Sequence, residues 1–159
     1  MTTLAALTVT LPQQRLAPGT ALTTEGSHSG RLYLLESGRL AVSREGVALA
    51  TIDEPGAIIG EMAVLLGIPH SATVTAQTEA QVRVIDDALD VLAENPDFAL
   101  HLATLACARL NATSALLVEL RRAAAGKKQE QALMSRILMA MMATPKGVSG
   151  GSRRWVDHE

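Results

Sequence analysis

The chain has 159 residues, and its 14 Lys and Arg against 16 Asp and Glu give a formal net charge of −2. Hydrophobic residues make up 48% and charged residues 19%, enough for a core and against wholesale disorder, while 2% aromatic content leaves that core aliphatic and excludes a row of rings on which bases could stack. The length suits one domain, or one domain with a helical appendage, and the slight acidity argues against a domain-wide basic footprint.

In chain order, the first segment MTTLAALTVTLPQQRL has no Lys or Arg ahead of its short apolar stretch, so it does not read as a secretory signal. No later segment approaches the roughly 18 uninterrupted apolar residues of a membrane-spanning helix. The single cysteine, Cys107, excludes an intramolecular disulfide framework and a cysteine-based zinc cluster, and it reads as a small buried helix residue. A cytoplasmic chain with no membrane contact is the expectation.

From about residue 5 to residue 86, short apolar runs are cut by Pro18-Gly19, Glu25-Gly26, Ser29-Gly30, Ser37-Gly38, Glu45-Gly46 and Pro55-Gly56. Turn residues at that spacing, with RLYLLE, RLAVSR and VALATID between them, predict an antiparallel sandwich or barrel. SREGVALA reads as a hairpin with Glu45-Gly46 at its tip. Leu32/Leu34 alternate with Tyr33/Leu35, and Val82 and Val84 flank Arg83.

The segment GAIIGEMAVLLGIPHSATVTA, residues 56–76, breaks this alternation. Gly60 permits close backbone approach, and Glu61 to Leu66 can form a short helix directly after it. Free N–H groups and the positive end of the helix dipole then meet in one cavity, a cradle for an anion. Glu61 at its mouth can accept hydrogen bonds from a sugar hydroxyl. Gly67 ends the helix, Pro69 stiffens the turn, and His70 and Ser71 are expected to open the next strand and face the cradle. The residues by themselves describe a small pocket for a phosphate and a sugar.

Beyond Asp86 the period changes. Asn95 reads as an N-cap, Pro96 as the first turn and Asp97 as a dipole-favoured acid, which predicts a long helix over 96–124. Ala103, Ala106, Leu110, Thr113, Leu117 and Leu120 form one stripe on it, and Leu102, Leu105, Ala112 and Leu116 another. One stripe is expected to cover the β unit and the other to form a homodimer seam; a single wide stripe buried within the monomer is the alternative. Gly126 interrupts the pattern. A second amphipathic helix with a Met-rich end is expected over 127–143, and a flexible tail over 145–159. The expected domains are thus 1–125, 126–144 and 145–159.

The run Gly60-Glu61-Met62-Ala63-Val64-Leu65-Leu66-Gly67-Ile68-Pro69-His70-Ser71-Ala72-Thr73-Val74 resembles the phosphate-binding cassette of cyclic nucleotide-binding domains, with the spacing intact. Upstream, Pro18-Gly19, Glu25-Gly26, Leu32-Tyr33-Leu34 and Ser37-Gly38 are similar to that family's opening strands. On the long helix, Ala108-Arg109-Leu110-Asn111-Ala112-Thr113-Ser114 resembles the dimer helix of the catabolite activator and Fnr group. The resemblance covers roughly residues 10–125. It implies an α+β, mainly β fold: a double-stranded β-helix or jelly-roll barrel, then a long dimerisation helix and a further C-terminal helix.

It also implies roles. Gly60 and the amides of Met62 and Ala63 would contact the ribose-phosphate, Glu61 the ribose 2′-OH, and Ser71 a phosphate oxygen. Thr113 and Ser114 would reach the purine across a dimer, or else bond back to carbonyls one turn earlier. His70 stands where the family has arginine. Exchanging a permanent, bidentate charge for one N–H that is only partly protonated costs about 1.5–3 kcal/mol, or one to two decades of affinity. The expectation is weak cyclic nucleotide binding that improves at lower pH; a partly exposed His70 in a decayed pocket is the alternative.

The implied function is a non-catalytic sensor of cyclic AMP or cyclic GMP, working through a homodimer on helix 96–124 or a protein contact on helix 127–143. The alternative is a dimerisation protein that keeps the fold without the ligand. A helix-turn-helix would follow in the transcription factors of that group; only a short tail follows here, which makes DNA an unlikely partner despite Arg121, Arg122, Lys127, Lys128, Arg153 and Arg154. Metal binding by His28, His70, His101 and Glu61 lacks a His-x-His pair, and Ser71 beside His70 makes no hydrolase triad.

Overall fold

In the computed structural model, residues 8–123 and 128–142 are described. The expected tail 145–159 and the ends of the expected second helix, Lys127 and Ala143, lie outside them. By contacts the chain divides within its long helix, into a unit that ends at Ala103 and one that begins at Thr104.

The first unit is mainly β. Its strands are β1 (Gln13–Leu16), β2 (Ala21–Thr23), β3 (Leu32–Ser37), β4 (Leu40–Arg44), β5 (Val47–Ile52), β6 (Ile58–Ile59), β7 (Thr73–Ala76) and β8 (Ala80–Ile85). They form two four-stranded antiparallel sheets, ordered β1-β8-β3-β6 and β2-β7-β4-β5. Three helices follow the chain through and beyond them: α1 (Glu61–Leu66), α2 (Ala88–Glu94) and α3 (Pro96–Ala123).

Turn chemistry accounts for the hairpins. Glu45 and Gly46, with φ of 51° and 76°, both take left-handed conformations, as a tight two-residue hairpin between twisted strands requires. Gly38 is fixed more stringently. At φ 94° a Cβ there would lie 2.4 Å from the Glu79 carbonyl oxygen and 2.5 Å from Ala80 Cα, so the β3–β4 turn closes directly on the backbone before β8.

Between the sheets lies an aliphatic core of Leu16, Tyr33, Leu35, Leu40, Ile59, Val74, Ala76, Ala80, Val82 and Val84. Cross-strand register explains the set: Tyr33 pairs with Val84 and Ile59, and Leu35 with Val82, which puts these side chains on one face of the sheet. The alternation expected in β3 is present, yet its other face is buried too. Leu32 and Leu34 are buried and pair with Ile85 and Ile58 across the strands. An apolar outer face needs a cover, and Val64, Ala88, Leu92, Phe98 and Leu102 on the helices of the same unit are buried as well. Helices α1 and α2 are in contact.

Asn95 departs from its expected role in part. Its carbonyl accepts the first α3 bond, from Ala99 N–H at 3.0 Å, but its side chain turns back: Nδ2 donates to Val91 O at 2.8 Å and closes the end of α2 instead of capping α3.

The second unit comprises α3 from Thr104 onward and α4 (Lys128–Met142). Leu117 is buried, whereas Leu110, Leu116, Val118, Leu120, Leu133 and Met139 are exposed. Neither expected stripe is buried as a whole. Cys107, expected to be buried, is exposed in the single chain.

Candidate functional site

The cassette is a loop whose two ends meet. Gly60 takes φ 96° and ψ 1°, and a Cβ there would lie 2.8 Å from the Arg31 carbonyl oxygen and 3.6 Å from His70 Cε1. Only glycine fits without strain and collision. Helix α1 starts at the next residue with no side-chain cap, and its first internal bond runs from Val64 N–H to Gly60 O at 3.2 Å. The amides of Met62 and Ala63 precede that bond and have no partner within the helix. Buried Val64 anchors α1 inward, and left-handed Gly67 ends it by donating its N–H to Ala63 O. Glu61 and Ala63 are half-buried, and Met62 is 50% exposed.

His70 is drawn in, not displayed. Its N–H donates to Ser27 O and its carbonyl accepts from Gly26 N–H, both at 2.8 Å. Its side chain is 5% exposed, and Nε2 shares a 2.8 Å hydrogen bond with the Ser29 hydroxyl. Burial, and secondarily the nearby His28, hold the imidazole below the usual histidine range and favour its neutral form. The partial exposure expected of His70 under the decayed-pocket alternative is not found, because the paired backbone and the Ser29 bond pull the ring out of solvent.

Strand β7 begins at Thr73, so His70 and Ser71 lie in the bend before it and not within it as expected. Ser71 is half-buried there. The segment from Ala72 is held by two further bonds, one on its backbone and one on a side chain: Thr23 Oγ1 donates to Ala72 O at 3.3 Å, and Glu25 N–H donates to the Thr73 hydroxyl at 3.0 Å. The loop 24–31 thus lies along the strand-side limb of the cassette. Arg31 fixes the end of this loop through a 2.6 Å ion pair with Asp86, and its side chain and that of Asp86 are each about half exposed.

Gly60, Glu61, Met62, Ala63, His70 and Ser71 are accordingly parts of one closed loop. Thr113 and Ser114 belong to the second unit; their hydroxyls donate to Arg109 O and Leu110 O, each at 2.8 Å, which is the back-bonded arrangement. Sequence reasoning missed Ser29 and the Arg31 carbonyl. The Ser29-Gly30 step marked a turn but gave no sign of what that turn would touch. Among the described residues, no group of three or more His, Cys, Asp and Glu side chains is arranged to hold a metal ion, and no helix is long and apolar enough to cross a membrane.

A family model described as the cyclic nucleotide-binding domain matches residues 13–94, a span that holds both sheets and the whole cassette. The chain belongs to that family. The cyclic nucleotide-binding domain is similar in sequence to the cAMP-dependent protein kinase regulatory subunit of Yarrowia lipolytica, 38% identical over 96 residues, which are 54% of this chain and 25% of that protein. It is also similar to acetyltransferase Pat of Mycolicibacterium smegmatis, 37% identical over 99 residues, 60% of this chain and 30% of that one. The chain spans only a quarter to a third of these relatives. Among solved structures it resembles the N-terminal domain of a transcriptional regulator from Streptomyces coelicolor A3(2), at 30% identity and a TM-score of 0.53, covering 69% of this chain and 82% of that one. The family's mainly β fold with a long helix behind it is the architecture described above.

Proposed function

We propose that this chain is a non-catalytic regulatory module that binds a cyclic nucleotide, cyclic AMP in preference to cyclic GMP. What carries the reading is the closed loop from Gly60 to Ser71, inside the family match, in which a glycine-only backbone at the head of α1 lies beside the His70 ring. The amides of Met62 and Ala63, with Gly60, would take the ribose-phosphate, Glu61 the ribose 2′-OH and Ser71 a phosphate oxygen. Binding charge through backbone dipoles needs no ionised side chain.

Thr113 and Ser114 would meet the purine across a homodimer built on helix 96–124. The exposed Leu110, Leu116 and Leu120 support such a seam, since a helix rarely leaves that much apolar surface to water. Helix 127–143 would carry the output to a protein partner, and the module would work in the cytoplasm. Functional boundaries at 125 and 144 follow from this division of labour. No part of the scheme calls for a base-reading helix, a metal or a membrane. A second reading has one observation in its favour: His70 already spends Nε2 on Ser29, so the fold could persist as a dimerisation scaffold with an idle pocket.

A thermal-shift titration decides between them. Cyclic AMP at about ten times its dissociation constant stabilises the native state by about 1.4 kcal/mol, a rise of several degrees in Tm. Cyclic GMP should give less. An unchanged Tm with both nucleotides at millimolar concentration leaves the scaffold reading.

A further inference from the structure

The ring of His70 is held so that one nitrogen is spoken for and the other is not. Nε2 is engaged at 2.8 Å by Ser29 Oγ. Cε1, the atom between the two ring nitrogens, is the one that faces the Gly60 backbone, 3.6 Å from where a Cβ would stand. The edge of the imidazole that carries both nitrogens thus lies beside the Gly60 backbone. Among the described residues, no group hydrogen-bonds Nδ1, and no fully buried side-chain nitrogen or oxygen lacks a partner. Nδ1 therefore keeps an opening to solvent in a side chain that is otherwise enclosed.

Charged and titratable groups lie on both limbs of the loop and on the segment 24–31 paired with it. His28 is the like charge that opposes a second proton here. The Arg31 guanidinium is committed to Asp86 at 2.6 Å, and the Glu25 carboxylate accepts the Glu45 N–H at 2.9 Å. Glu61, next to Gly60, is the carboxylate on the cassette side. Without ligand, burial and His28 leave the ring neutral. An anion seated over Gly60 changes this balance, because its charge favours imidazolium at short range far more than bulk water does.

We propose that His70 is a proton-dependent contact for the anionic group of the ligand, through Nδ1, with Ser29 as the residue that positions its ring, so that binding takes up a proton. The inference rests on the cyclic nucleotide reading and adds a regulatory property to that site: its affinity follows intracellular pH. Ser29 Oγ can accept from Nε2–H once the ring is charged, whereas it donates or accepts in the neutral ring according to tautomer. Ser29 thus supports both states and fixes the plane in which Nδ1 points.

The test is calorimetric titration of the full chain with cyclic AMP at about pH 6, 7 and 8, in buffers of differing ionisation enthalpy. Expected for the native chain are net uptake of a fraction of a proton and affinity that falls by up to about tenfold per pH unit between the free and liganded pKa values. His70→Gln should bind more weakly with no proton uptake and a flat profile. His70→Arg should bind more tightly at pH 8, again without uptake. Ser29→Ala should move the midpoint of the profile to lower pH, and Ser29→Thr should restore it. Binding of equal strength at pH 6 and 8, or a slope that survives in His70→Gln, overturns the inference while the nucleotide reading stands. Binding by His70→Arg alone also overturns it, since His70 would then contribute nothing. Absence of binding in both the native chain and His70→Arg overturns the nucleotide reading itself.

Discussion

The unit that ends at Ala103 and the one that begins at Thr104 spend their apolar residues in opposite ways. In the first, two sheets and the helices beside them enclose nearly every large aliphatic side chain of β3, β6 and β8, so alternation and register give each residue a destination. In the second, the 3.6-residue period is just as regular, but Leu110, Leu116, Val118 and Leu120 are exposed and Leu117 is buried. Periodicity therefore reports that a face is meant to be covered. It does not report whether the cover is the same chain or another.

A pair of truncations exposes that contrast most sharply. Leu35→Ala empties a position 1% exposed in the inter-sheet core and should cost about 2–5 kcal/mol, visible as a large loss of Tm. Leu116, 59% exposed, should change the stability of the isolated chain by less than about 0.5 kcal/mol when made alanine. Under the dimer proposal Leu116→Ala nevertheless weakens self-association, which sedimentation velocity measures. A stable monomer at high concentration with Leu116 intact would remove the seam from the scheme.

Within the first unit, glycine positions grade the next effect. Gly60→Ala forces a left-handed backbone on alanine and drives its Cβ to 2.8 Å from the Arg31 carbonyl. The expected loss is about 1–3 kcal/mol, and with it the Tm rise on adding cyclic AMP. Gly19 has φ 87° with nothing within 4 Å of its would-be Cβ. Gly19→Ala should cost about 1 kcal/mol through conformational strain alone and keep the ligand response. A Gly60→Ala chain that still shifts with nucleotide would detach the cassette from binding.

How much of this was legible depends on the distance over which the deciding interaction acts. Glu45-Gly46, the helix after Gly60 and its stop at Gly67 were readable because each is local, settled by the φ preferences of one or two residues. The cassette was readable because its residues are contiguous. Ser29 against His70 was not, since 41 positions separate them and nothing in either residue names the other. The double burial of β3 was likewise hidden: a run such as LYLL is apolar at every position, and the register that assigns its faces comes from β8, about 50 residues later. Asn95 was misassigned because one carboxamide can serve either neighbouring helix, and Val91 O lies within its reach. Cys107 was misassigned because small apolar neighbours on a helix do not say which side has a cover.

A smaller effect comes from His70 in the unliganded chain. Its folded pKa lies below the usual histidine value of 6.5, first through burial and then through His28. The unfolded chain therefore binds more protons than the folded one as pH falls through about 6.5, and folding stability rises with pH across that window. The native chain should melt at a lower temperature near pH 5.5 than near pH 7.5. His70→Gln should reduce this difference. The nucleotide-induced rise in Tm should run the other way and be largest at the acid end, because proton and ligand then bind together. A slope of Tm on pH that is unaltered in His70→Gln would assign it to other groups.

The smallest effect belongs to the two hydroxyls of the second unit, and it concerns selectivity more than stability. Thr113 and Ser114 each donate their proton to a helix carbonyl at 2.8 Å, so what they offer outward is lone pairs. Such acceptors match the amino group at the 6-position of adenine and mismatch the carbonyl at the same position of guanine. Back-bonded hydroxyls on an exposed helix add little to folding, and Thr113→Ala or Ser114→Ala should alter stability by less than about 0.5 kcal/mol. If they meet the base, each should lower affinity for cyclic AMP severalfold and leave cyclic GMP nearly unchanged, so that the ratio of the two dissociation constants narrows. An unchanged ratio in the double variant would return both residues to a purely helical role, and the preference for adenine would have to be set by the first unit alone.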